Sequence, residues 1–329
     1  MIDTITIRLN NKFFNQFFSP STIYNNLTSI KKELATNQEG CEFVGYLKNL
    51  FVEVKGDRLT VSGSFAKYVY GSNLISLSKE ELIQAVTEVS QILGASLWRG
   101  DLIRIDYAKD ISVDYDPKYY LSNFISSNEY RIIPHKGSIT LNKIRGLENL
   151  VICIYDKTRE SKKNARDVFK YLSEQGTDLT KLLRFEVRAK YPIAPLLGFS
   201  QKRLPAVYLM SDILYERLEH NFYREMGKIS IDKSISVCDH NFTTPKEFFD
   251  IHAINSILNE GLKENENFLA KKRENGEISS KVKCLILKRS RELANKYGSI
   301  VYENYHQEIF AKLNELKGKF QTQIFNSLS

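Results

Sequence analysis

The chain has 329 residues, 42% of them hydrophobic and 12% aromatic, enough for two domains or one large one with an appendage. Its net charge of +8 and pI near 9.0 favour a polyanionic partner, nucleic acid ahead of an anionic membrane. No apolar run reaches the ~18 residues of a membrane-spanning helix, so no span is expected.

The N-terminal "MIDTITIRLNNKFFNQFF" lacks a basic leader, an apolar core and a small-residue cleavage site. It is expected to be a strand of the mature fold, Thr4 to Leu9, and not a signal peptide. Leu50 to Lys55 and Arg58 to Ser64 read as two more strands, joined by a hairpin turn at Lys55-Gly56-Asp57. Ser78 to Leu93 predicts a helix. Ser78 caps it, Glu81 completes a capping box, and Leu82, Val86, Val89 and Leu93 form one apolar stripe.

Three further strands are expected at Leu102–Ala108, Leu150–Asp156 and Leu182–Lys190. Strand period places Ile103, Ile105 and Tyr107 on one face of the first, with Arg104 and Asp106 on the other. In the last, Leu183, Phe185, Val187 and Ala189 oppose Arg184, Glu186, Arg188 and Lys190. Leu150–Asp156 is apolar on both faces until Tyr155 emerges at its end. Helices are expected over the apolar faces. If the strands share a sheet, an open polar face gathers Asp106, Glu186, several arginines and Tyr155. "DPKYYLSNF" reads as a helix whose Tyr119 and Tyr120 serve packing.

The last third reads as helical. Thr244, Pro245 and Glu247 supply a cap, a first-turn proline and a capping box. A basic helix follows from about 279, with a stop expected at Gly298, and a further helix over Val301–Phe320. The division expected is 1–238, a catalytic domain, and 239–329, a helical C-terminal domain. Cys41, Cys153, Cys238 and Cys284 are widely spaced and expected to be reduced thiols in a cytosolic setting. Cys238 and His240 lack a second ligand pair of suitable spacing, so zinc is not expected.

The chemistry open to these residues is phosphoryl transfer. Asp106 and Glu186 on one face suit a divalent metal bound through oxygen. Arg184, Arg188 and Lys157 suit phosphate oxygens. A tyrosine phenol, with a pKa of ~10, needs cations or a metal to favour the phenolate. On spacing alone the blander readings prevail: a strand-end tyrosine is usually packing, and Arg-x-Asp or Arg-x-Glu-x-Arg is usually a solvated cross-strand ion pair.

The order of several short motifs adds a resemblance. "MIDTITIRL", "SFAKYVYGSN" (Ser64–Asn73), "RIDYAKD" (Arg104–Asp110), "CIYDK" (Cys153–Lys157) and "LLRFEVRAK" resemble, in sequence order, the filamentous-phage gene II/X-type replication initiators. They also look like the Rep-trans plasmid rolling-circle initiators. The resemblance runs over roughly residues 1 to 190. It implies an α+β fold: a mainly antiparallel sheet with helices on one face, of the rolling-circle Rep nuclease kind, plus a C-terminal helical segment. It implies a metal-dependent DNA nicking-closing endonuclease that forms a 5′-phosphotyrosine link at an origin and releases a 3′ hydroxyl.

On that resemblance Tyr155 is the nucleophile and Lys157 a phosphate or phenolate contact. Asp106 and Glu186 match its acidic positions, and chemistry makes them the ligands of Mg²⁺ or Mn²⁺. Lys67 and Asn73 match positions at the DNA, with Arg104, Arg184 and Arg188 as further DNA contacts. The chain departs from the family at Ser72, where histidine is frequent, and in lacking a histidine pair; His135 is the best histidine candidate for the metal site. Implied partners are origin DNA, single-stranded or hairpin, a host helicase and polymerase, and further copies of the chain, in the cytoplasm of a bacterial host. The alternatives are a non-cutting DNA-binding regulator and a relaxase-like mobilisation protein. Tyr107, Tyr119 and Tyr120 are the other tyrosines considered as attackers.

Overall fold

A computed structural model describes residues 2–11, 18–37, 40–144, 149–231, 244–247, 249–250, 253 and 262–328. The fold is α+β, built on a ten-stranded antiparallel sheet. By contact the chain divides into two units. One comprises Met1–Pro117 and Ser126–Ile229, the other Lys118–Ile125 and Ser230–Ser329. The expected boundary at 238/239 lies outside the described residues, as do Cys238 and His240.

The first unit begins with β1 (Ile2–Asn10), α1 (Pro20–Asn26), β2 (Ser29–Asn37), β3 (Gly40–Leu47), β4 (Leu50–Lys55) and β5 (Arg58–Gly63). Gly56 turns the β4–β5 hairpin with a φ of +54°, a left-handed conformation that a side chain resists. Next come α2 (Phe65–Tyr70), α3 (Lys79–Leu93) and β6 (Asp101–Ser112). The capping box of α3 forms as its sequence dictates: Glu81 N–H donates to the Ser78 hydroxyl at 3.1 Å, and Ser78 N–H to Glu81 at 2.7 Å. The unit continues with β8 (Tyr130–His135), β9 (Ser138–Lys143), β10 (Leu150–Asp156), α5 (Lys157–Asn164), α6 (Arg166–Glu174), β11 (Leu182–Lys190), α7 (Ile193–Leu196) and α8 (Asp212–Met226).

The strand order is β2-β3-β4-β5-β1-β6-β11-β10-β9-β8. The three strands singled out by pattern therefore lie side by side as β6-β11-β10, the first three strands of the sheet's second half. Their apolar face is a core: Ile105, Tyr107, Phe185, Val187, Ile152 and Ile154 are all buried. Helix α8 lends it polar anchors. Tyr107 donates to Asn221 at 2.5 Å, Tyr130 donates to Glu225 at 2.5 Å, and Lys109 pairs with Glu219. Tyr107 is thus on the face opposite Tyr155, fully buried, and is no candidate attacker.

The second unit holds most of α4 (Pro117–Ser122), the two-stranded pair β7 (Phe124–Ile125) and β12 (Ser230–Ile231), α9 (Leu262–Glu274) and α10 (Ser280–Leu328). Tyr119 and Tyr120 lie in α4; Tyr120 is buried, as expected of a packing residue, and its hydroxyl donates to Glu308, whereas Tyr119 is exposed. Thr244 caps the turn after it, accepting from Glu247 N–H at 3.2 Å; most of the helix expected there lies outside the described residues. The stop expected at Gly298 does not occur. Helix α10 runs through it for 49 residues, because an interior glycine costs only ~1 kcal/mol relative to alanine and no proline reinforces the break.

Candidate nucleic-acid interface and active site

Register aligns the polar side chains of the central strands in rows, since directly opposed residues of antiparallel strands share a face. One row reads His135, Ser138, Tyr155, Arg184, Asp110 across β8, β9, β10, β11 and β6. The next reads Thr140, Cys153, Glu186, Ala108. The third reads Asn142, Val151, Arg188, Asp106. Eight residues expected at the site share this face or its border, namely Tyr155, Lys157, Asp106, Glu186, Asn73, Arg104, Arg184 and Arg188. Lys67 sits half-buried on α2, where its charge lowers the pKa of Glu160 along with Lys157.

The polar face is not the open, solvated surface that alternation suggests. Asp106, Glu186, Arg184, Asn73 and Lys157 are all less than one-tenth exposed. The charges survive burial because each is matched. Arg184 clasps Asp110 through Nε at 2.5 Å and Nη2 at 2.6 Å, donates to the Asn73 carbonyl at 2.9 Å, and reaches Asp3 at 3.3 Å. Asn73 donates its amide to Asp3 at 2.7 Å and accepts from Lys157 Nζ at 2.7 Å. Lys157 also bonds Glu160 at 2.6 Å. Arg184, Lys157 and Asn73, expected to touch DNA or the phenolate, also hold one another and the acids Asp3, Asp110 and Glu160 in place.

Tyr155 occupies the mouth of this network. It is the last apolar-patterned residue of β10, and Asp156 at once caps α5, accepting from Arg159 N–H at 2.8 Å. The chain thus turns from strand to helix within one residue, leaving the half-buried phenol at the rim. Its hydroxyl donates to Glu186 Oε2 at 3.0 Å, while Arg188 Nε holds Glu186 Oε1 at 2.6 Å. Burial first, and then the Glu186 charge, push the phenol well above its ordinary pKa; Arg184 opposes them and loses. The expectation that neighbouring cations favour a standing phenolate is therefore reversed. Tyr155 is a neutral donor on a carboxylate.

Over Tyr155 lies a cavity of about 660 Å³, lined by Thr140, Cys153, Tyr155, Glu160 and Asn164 and by the cations Lys136, Arg159, Lys163 and Arg188. Lys136 comes from the β8–β9 turn and Arg159 and Lys163 from α5, so three separate elements bring positive charge to one opening. His135 lies in the Tyr155 row but two strands away, ~10 Å by strand spacing, and is exposed at the strand end.

The carboxylates also test the expected metal. Arg104 grips Asp106 through Nε at 2.9 Å and Nη2 at 2.6 Å, and Arg188 grips Glu186. Among the described residues no group of three or more His, Cys, Asp or Glu could hold a metal ion. A divalent ion at Asp106 and Glu186 would have to compete with Arg104 and Arg188 for the carboxylate oxygens.

Asp106 carries a stability consequence. Burial raises its pKa to about 6, outweighing the lowering by Arg104. A free aspartate titrates near ~3.9, so the folded state binds this proton more tightly than the unfolded state does. The stability linked to that proton is full below ~pH 3.9 and is lost as pH rises through about 6. Asp106→Asn is expected to raise the melting temperature at pH 8, by an amount worth about 2–3 kcal/mol, and the gain should vanish as pH approaches ~4. A lower melting temperature at pH 8 would show that the Arg104 pair outweighs burial.

Sequence reasoning missed Asp3, Asp110, Glu160, Lys136, Arg159 and Lys163. Two were legible: Asp110 follows Asp106 by two strand periods, and Glu160 follows Lys157 by one helical turn. Asp3 was not, because it falls at a register shift between Ile2 and Thr4 where β1 departs from simple alternation.

No family model and no curated protein matches the chain. Among solved structures it is similar to a rolling circle replication initiator protein from Geobacillus stearothermophilus, at 12% sequence identity and a TM-score of 0.39, with 73% of this chain and 89% of that chain covered.

Proposed function

We propose that the chain is a rolling-circle replication initiator that nicks and rejoins one DNA strand through Tyr155. The observation that carries this reading is the Tyr155 hydroxyl donating to Glu186 at 3.0 Å beside a cation-lined cavity. Other tyrosines also donate to buried carboxylates, as Tyr130 does to Glu225, but Tyr155 does so at the wall of an opening that four cations also line. The motif order described above supports the same reading.

In the forward step, Tyr155 Oη attacks the phosphorus of a bound phosphodiester and its proton passes to Glu186 Oε2. The bond from phosphorus to the 3′ oxygen breaks, and that oxygen leaves and takes a proton from water. The products are a 5′-phosphotyrosine and a free 3′ hydroxyl. Rejoining is the reverse: the 3′ hydroxyl attacks the phosphotyrosine, and the leaving Tyr155 oxygen recovers the proton from Glu186. Arg188, Arg159, Lys163 and Lys136 bind the phosphates and offset their charge. Proton transfer within hydrogen-bond reach is what general-base catalysis requires. Mg²⁺ or Mn²⁺, implied by the resemblance, is used in no step here. The partners that go with this function are origin DNA and a host helicase and polymerase in a bacterial cytoplasm. Among the described residues no helix is long and apolar enough to cross a membrane.

The test is covalent capture. The protein is incubated with single-stranded DNA of its own replicon, with Mn²⁺, with Mg²⁺ and with a chelator, and run on a denaturing gel beside Tyr155→Phe. A protein–DNA adduct is expected in the parent and none in the variant. No adduct under any condition sinks the nicking reading in favour of a DNA-binding regulator that does not cut.

A further inference from the structure

Among the described residues three buried side-chain polar atoms find no hydrogen-bond partner: Arg8 Nε, Arg58 Nε and Thr60 Oγ1. They are neighbours. Arg8 on β1 lies directly opposite Thr60 on β5, and Arg58 stands two residues before Thr60, on the same face. Diagonal neighbours on paired antiparallel strands are ~7–8 Å apart, within reach of two arginine side chains. Nearby acids do not serve the pair. Asp101, opposite Arg8 on β6, is held by Arg203. Glu53, opposite Thr60 on β4, attracts Arg8 but makes no hydrogen bond to either arginine among the described residues. Burial, and then the Arg58 charge, lower the pKa of Arg8. Like charges set side by side with unmet donors are unfavourable, and the contrast with Arg184, matched to Asp110 and Asp3, is plain.

We propose that Arg8, Arg58 and Thr60 form a second phosphate site, which takes a phosphodiester of duplex DNA remote from Tyr155. This rests on the nicking function proposed above, and adds a second anchor on the origin. The chemistry fits an oxyanion: two planar guanidinium forks and a hydroxyl meet at one place, and a tetrahedral phosphate offers an oxygen to each. The approach is open. Both arginines are half-buried, and Asn10 and Lys55, which flank Arg58 in its row, are exposed. The site shares the sheet face of Tyr155, since Thr6, two residues before Arg8, opposes Arg104, and Arg104 lies on the face of Asp106. The two sites are too far apart to share a phosphate. The Arg8 row meets β6 at Asp101 and the Tyr155 row meets it at Asp110, ~30 Å along the strand. At ~3.4 Å per base pair that is roughly one turn of duplex. A free phosphate ion has the same chemistry, but the net charge of +8 and the shared face favour a polyanion that touches both sites.

The experiment uses the full chain and labelled duplexes of origin DNA from its own replicon, about 5 and about 30 base pairs long, read by fluorescence anisotropy. Arg8→Gln with Arg58→Gln is expected to weaken binding of the longer duplex about tenfold and to reduce the slope of log affinity against log salt by about 1. The shorter duplex cannot span both sites, so its affinity should change by less than about threefold. Neither arginine has an acid partner to lose, so the melting temperature of the variant should not fall. Inorganic phosphate at fixed ionic strength should raise the melting temperature of the parent and not that of the variant. Equal binding of the longer duplex by parent and variant, or no binding by the parent, overturns the site. So does an equal loss on both duplexes, which net charge alone would produce, and so does a fall in melting temperature, which would make the pair structural. A lost response to phosphate with the longer duplex bound normally gives the site to a free anion and overturns its assignment to DNA. Adduct formation at the origin, measured in parallel, separates the two failures. An adduct in the parent, with the longer duplex bound equally by parent and variant, rejects the phosphate site alone. No adduct in the parent, with the loss confined to the longer duplex, rejects the nicking and leaves the phosphate site standing.

Discussion

Glu186→Gln should slow adduct formation by about 10²–10⁴-fold, the usual worth of a positioned general base. The substitution keeps an oxygen within reach of the Tyr155 hydroxyl, so the phenol need not move; it removes only the group that takes the proton. Arg188 loses its ionic partner but is 36% exposed on its side chain and can turn to water or to phosphate. The loss should therefore fall on the rate of the chemical step and not on DNA affinity. The pH profile adds a second reading. A free tyrosine ionises near ~10, and an enzyme relying on a standing phenolate would accelerate as pH approaches that value. Burial and Glu186 hold Tyr155 neutral well beyond it, so no such rise is expected. A rate for Glu186→Gln within threefold of the parent, with an alkaline rise, would move the base elsewhere.

Arg184→Met is expected to destabilise the protein by about 3–5 kcal/mol, the cost of breaking a buried ion pair by removing one partner. The reason is arithmetic of partners. Arg184 is 4% exposed and serves Asp110, Asp3 and the Asn73 carbonyl together. Methionine fills a similar volume and leaves two carboxylates facing a buried site. Thermal unfolding should show a fall of roughly 10 °C for a unit of this size. Asp110→Asn added to Arg184→Met should recover part of the loss, because it removes one of the stranded charges. An arginine that merely gripped phosphate would behave in the opposite way, weakening DNA binding at an unchanged melting temperature.

Much of this arrangement was legible before any coordinates. Period 2 in "LLRFEVRAK" places Arg184, Glu186 and Arg188 together, and the capping box at Ser78 fixes the start of α3 to the residue. What the pattern could not supply was the depth of the polar face. Alternation separates two faces of a strand but does not say whether the polar one meets water, and here α5 stands over it. The same ambiguity hid the setting of Tyr155: a cation beside a tyrosine reads as an aid to ionisation, but burial, and then the Glu186 charge, outweigh the lowering by Arg184. Gly298 shows the limit of local signals, since a single glycine ends a helix only where the following chain prefers to leave.

The brace around Arg184 draws on the chain in an order that matters while the protein is being made. Asp3 lies in the first strand, Asn73 after α2, Asp110 in β6, Lys157 at the start of α5, and Arg184 in β11. A ribosome delivers the acids first and their common cation last. Until β11 emerges, Asp3 and Asp110 lack Arg184 and Tyr155 lacks Glu186, so no shorter nascent fragment can hold Tyr155 beside Glu186. Closing contacts between residues 181 positions apart is also slow compared with forming local structure. The proposed nicking site is thereby incomplete until β11 has joined the sheet.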